Sequence, residues 1–75
     1  MRVNRDMRSK IAYAAACISE FARRKQIEKQ EAYIYLADHG AIQFLKEHYD
    51  VEHTLSFDEA LDDLEIICKQ NGGSL

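Results

Sequence analysis

The chain has 75 residues, 47% of them hydrophobic and 31% charged, with no proline and a net charge of −3. That length supports one thin-cored domain and no more. No apolar run approaches the ~20 residues of a membrane span, and the charges near the N-terminus do not suit a secretory leader. Cys17 and Cys68 fall in predicted helices and read as buried, reduced thiols of a cytoplasmic protein.

The modest net charge hides a split. Up to residue 30, eight bases oppose three acids, a net of +5; from residue 31, two bases oppose ten acids, a net of −8. Such polarity either steers a partner or is compensated within a small bundle.

The first helix is predicted from Asp6 to Lys25. Met7, Ile11, Ala14, Ala15, Ile18, Phe21 and Ala22 recur at three- and four-residue spacing and form the expected inward face. Its back carries Ala12, Tyr13, Ala16 and Cys17 where charges would be usual. Either this helix is central and buried on two sides, or its second face binds another chain. A break follows over residues 24–27. The second helix runs from near Glu28 to Gly40, with Glu28 a poor N-cap and Gly40 able to close the helix in the left-handed conformation. Ala32, Tyr35, Leu36 and His39 point inward, and Ile34 away.

A short third helix spans Ala41 to His48, with Ala41, Ile42, Leu45 and Tyr49 toward the core and Phe44 on the flank. Residues 49–55 show no helical period and read as a connector with a turn at Asp50. The last helix has the clearest start: Ser56 as cap with Glu59 three residues on. Phe57, Ala60, Leu61, Leu64, Ile67 and Cys68 form its core stripe, and Ile66 faces the polar side. Gly72 and Gly73 stop it. The ends, residues 1–5 and 71–75, are expected to fray. The fold class is therefore all-α, a compact bundle of about four short helices in a single domain.

Little in this chain suggests chemistry. A zinc site needs convergent ligands at paired spacing, whereas His39, His48 and His53 are separated by 9 and 5 residues across element boundaries. Neither cysteine has a base at a telling spacing. The carboxylates Asp58, Asp62, Asp63 and Glu65 read as a solvated helix face, and a glycine-rich phosphate loop is missing. We expect no enzyme activity, no cofactor and no small-molecule substrate. Arg2, Arg5, Arg8, Lys10, Arg23, Arg24, Lys25 and Lys29 offer a basic first third, which makes nucleic-acid binding the alternative function.

Apolar residues predicted to face outward argue instead for a protein partner or a homodimer. The expected contacts are Tyr13, Ala16, Cys17, Ile34 and Ile66, with Tyr33 beside them and the acidic face of Asp58, Asp62 and Glu65. Tyr49, Asp50, His53, Thr54 and Ser56 read as a structural staple. In it Asp50 forms an Asx-turn, His53 bridges to Asp50 or to a helix-end carbonyl, and Thr54 and Ser56 satisfy the start of the last helix.

The stretch from Tyr33 to Asp63 carries Tyr-x-Tyr-Leu, His-Gly-Ala-Ile and the run Tyr49, Asp50, Val51, His53, Thr54 and Ser56. On these motifs the chain resembles DUF3791, a family of small bacterial proteins classed only as a domain of unknown function. It departs from that pattern at Glu28 or Lys29, where members often carry Ser or Thr. The resemblance implies an all-α fold without known catalytic residues. It also implies companionship with other small bacterial proteins, some similar to ADP-ribosyltransferases, and so an antitoxin-like or accessory binding role.

Overall fold

The computed structural model describes residues 5–75. Among these there are five helices and no strand: α1 (Arg5–Lys25), α2 (Lys29–Asp38), α3 (Ala41–Glu47), α4 (Tyr49–Glu52) and α5 (Phe57–Gln70). The expected fraying of residues 1–4 lies outside the described residues.

Turn chemistry explains where the helices stop. Gln26, Gly40 and Gly72 all take positive φ, at 57°, 78° and 89°. After α1, Gln26 N–H donates to Arg23 O (3.3 Å) and Ile27 N–H to Ala22 O (3.0 Å). After α5, Gly72 N–H donates to Lys69 O (3.2 Å) and Gly73 N–H to Cys68 O (2.7 Å). Both are Schellman closures, which satisfy the last carbonyls of a helix. The first is made without glycine, so its Cβ carries a left-handed penalty. Gln26→Gly should therefore raise unfolding free energy by about 0.5–1 kcal/mol in a urea titration, after the entropy that glycine costs. At α5, Ser56 Oγ accepts from Glu59 N–H at 3.2 Å and donates to the Glu59 carboxylate at 3.0 Å.

α1 is the central helix and packs on α2, α3 and α5, while α3 also packs on α5. The core is Cys17, Phe21 and Ala22 from α1, Ala32 and Leu36 from α2, Ala41 and Leu45 from α3, and Leu61, Leu64 and Cys68 from α5. Ile34 and Ile66 are exposed, as their phase predicted.

Three expectations change. First, the inward line of α1 runs through Cys17 and Phe21, flanked by Tyr13, Ala14 and Ile18. Met7, Ile11 and Ala15, expected inside, are exposed. Cys17, read both as a buried thiol and as a partner contact, is wholly buried, because it sits where α1 meets its neighbours. Second, the connector is partly helical: Tyr49–Glu52 form a turn of helix, so Asp50 lies within α4 rather than in an Asx-turn. Third, the C-terminal segment is docked. Asn71 Nδ2 donates to His39 O (2.8 Å), and Leu75 N–H donates to the Tyr35 hydroxyl (3.2 Å). At Gly73 a Cβ would collide with that hydroxyl and approach Cys68 O to 2.8 Å, so the segment can lie this close only as glycine.

Candidate functional site

The rotation of α1 leaves an apolar surface in the open. A groove of about 620 Å³ runs between α1, α2 and α3. Its floor is the α1 stripe Met7, Ile11, Ala14, Ala15 and Ile18; Tyr33 and Ile42 line it from α2 and α3. Ile11 is 58% exposed and Tyr33 51%. Lys10 and Lys46 are the charged residues among its lining. The spacing of the floor residues is that of one helix face over three turns, about 17 Å at the rise of an α-helix. Tyr33 was expected at a partner surface and lies here. Ile34 and Ile66 are not among the lining residues.

The other predicted contact residues have intramolecular partners. The Arg24 guanidinium reaches three acids on successive turns of α5. Nη1 donates to Asp62 Oδ1 (2.9 Å) and Glu65 Oε2 (2.8 Å), and Nη2 to the Asp58 carbonyl (3.3 Å) and carboxylate (3.4 Å). Lys25 pairs with Glu65 and sits over the Phe21 ring at 5.9 Å. Lys25, then Arg24, holds the Glu65 carboxyl below its ordinary range. The charge split along the chain is thus compensated, in part, inside the bundle. Among the described residues, Arg23 pairs with Glu20 at 3.5 Å, an exposed contact worth little. Of the other bases, Arg2 lies outside the described residues.

Tyr13 turns inward as a clamp. Its hydroxyl donates to the Glu52 carbonyl at 2.9 Å, and its ring meets Tyr49 edge-on at 5.6 Å and stacks on Phe57 at 6.2 Å. Ala16 is half-buried beside it. Beneath the clamp lies Glu52, the buried charged residue of the core, 4% exposed, whose Oε1 has no hydrogen-bond partner among the described residues. Burial pushes its carboxyl up to about 7, assisted by a hydrogen bond to Asp63 and by that group's charge. Tyr13 and Cys17 complete a cluster of four acids, and burial raises both. Burial likewise pushes Cys68 up to about 11, and both cysteines are free. A thiol held protonated in this way is a packing group and a poor nucleophile.

The histidines share a pattern that their mutual spacing does not show. His39 lies 4.5 Å from Tyr35, His48 4.8 Å from Phe44, and His53 4.4 Å from Tyr49. Each ring packs on the aromatic four residues before it. His39 Nδ1–H also donates to Tyr35 O at 2.7 Å, at the end of α2. His53 stacks on Tyr49 instead of bridging to Asp50. Thr54 Oγ1 donates to Val51 O at 2.6 Å, closing α4 instead of opening α5. Among the described residues, no three His, Cys, Asp or Glu side chains converge to hold a metal ion. None of their helices is long and apolar enough to cross a membrane.

The fold and its groove define a small all-α bundle with an exposed apolar stripe on α1. The chain belongs to the DUF3791 family of proteins of unknown function, whose pattern it matches over residues 12–71. No curated protein and no solved structure matches it.

Proposed function

We propose that the chain is a non-catalytic protein–protein interaction module that docks a different protein in the α1–α2–α3 groove. The observation that carries this reading is the α1 face itself. Ile11, Ala15 and Tyr33 are exposed side by side with the half-buried Ala14 and Ile18, in a domain too small to leave such area open without cost. A second copy suits the groove poorly. A two-fold contact through this face would bring the lysines Lys10 and Lys46 of both chains into one interface, with no acid of the lining to offset them. Nucleic-acid binding is disfavoured by Arg24 and Lys25, which already face the α5 carboxylates. Two buried free thiols suit a cytoplasmic setting. An antitoxin-like or accessory role is the biological form we propose for such a module.

The test places a photo-reactive phenylalanine at Ile11 or, as control, at the exposed Val51 of α4, in the cells that make the protein. An adduct of a distinct partner mass is expected at position 11 and not at 51, and Ala15→Arg should remove it. An adduct of twice the chain's own mass would replace the reading with self-association. No adduct at position 11 would overturn it.

A further inference from the structure

We propose that the groove's occupant is a three-turn amphipathic α-helix whose apolar stripe is flanked by acidic residues. This rests on the docking reading above and names the partner segment. Three features of the groove specify it. The floor repeats at helical spacing from Met7 to Ile18, so it matches a partner segment of about three turns. Ala14 and Ala15, smaller than the Ile11 and Ile18 on either side of them, line the middle of the stripe. A large apolar side chain of a facing helix fits between the isoleucines there, while the alanines let its backbone approach closely. The charge is one-sided: Lys10 comes from α1 and Lys46 from α3, and no acid lines the groove. A helix with carboxylates beside its apolar stripe meets cations from both helices, and a lysine-flanked helix meets repulsion there.

Among the described residues, α5 does not offer such a helix to a second copy. The apolar stripe of α5 is spent in its own core at Ala60, Leu61, Leu64 and Cys68, and the acids beside it face Arg24. The inferred occupant is therefore not α5 of a second copy.

The test uses the full chain and two lactam-bridged peptides of about fourteen residues, long enough to hold a helix once constrained. Both carry leucine at positions i, i+3, i+7 and i+11, one with glutamates and the other with lysines at the flanks. Isoleucine methyl signals are followed by NMR. We expect the glutamate peptide to bind and shift Ile11, Ile18 and Ile42, and the lysine peptide to bind about tenfold more weakly at low salt. In the double variant Lys10→Glu, Lys46→Glu, exposed positions that leave the core untouched, the preference should invert. Equal binding of both peptides, or no inversion, would overturn the acidic flank. Binding of neither would overturn the helix. In that case an adduct at position 11 in cells would leave the docking reading standing, whereas loss of that adduct removes both.

Discussion

Raised from about pH 5 to about pH 8, the domain should lose on the order of 2 kcal/mol of unfolding free energy, and Glu52→Gln should remove most of that loss. The sign follows from the direction of the shift. The Glu52 carboxyl sits near its ordinary 4.5 in the unfolded chain and is pushed up to about 7 in the fold by burial and by Asp63. The folded state therefore prefers the proton. Its contribution is complete below the unfolded value and fades as pH climbs through the folded one. Glu65 runs the other way: its carboxyl is lowered by Lys25 and Arg24, so its contribution is lost as pH falls below the ordinary carboxylate range. Together they place the stability maximum in mildly acidic solution. Glutamine keeps the shape of Glu52, stays neutral and can donate to Asp63. Urea titrations at several pH values read the effect, and a flat profile for the unaltered protein between pH 5 and 8 would contradict this assignment of Glu52.

Phe21→Ala should cost about 3–5 kcal/mol, enough to unfold much of the protein at ambient temperature, while Ile11→Ala should stay within about 0.5 kcal/mol. Phe21 is fully buried and its ring stacks on Tyr35 at 5.9 Å, so truncation opens a cavity between α1 and α2. Ile11 lies on the same helix, and its side chain already meets solvent. The pair measures the rotation of α1 directly. Similar losses from both would mean that α1 faces the core as its sequence first suggests.

That rotation is where sequence reading reached its limit. The helices themselves were legible: apolar spacing, the Ser56–Glu59 box and the glycines at 40 and 72 fix four of them closely. The facing of α1 was not. From Ile11 to Ile18 eight successive residues are apolar or small, so the three- and four-residue rhythm has no polar side to orient it. With Met7, Ile11 and Ala15 drawn inward beside Ala14, Ile18, Phe21 and Ala22, the groove was hidden. α4 is one turn long, too short to display a period. Glu52 carried no signal, since a lone acid among polar residues reads as exposed. The histidine packing is written in the chain, as an aromatic four residues ahead of each histidine.

Arg24 bears on a different matter, the handedness of the bundle. Helices with stripes like these can be wound into either of two mirror topologies with almost the same apolar contacts. One guanidinium holding Asp58, Asp62 and Glu65 tells them apart, because those three acids share a single edge of α5. In the mirror arrangement that edge faces away, and all three contacts vanish together. A contact ordinarily counted as a modest surface attraction thus acts as a topological label, favouring one of two ways to arrange the helices around α1.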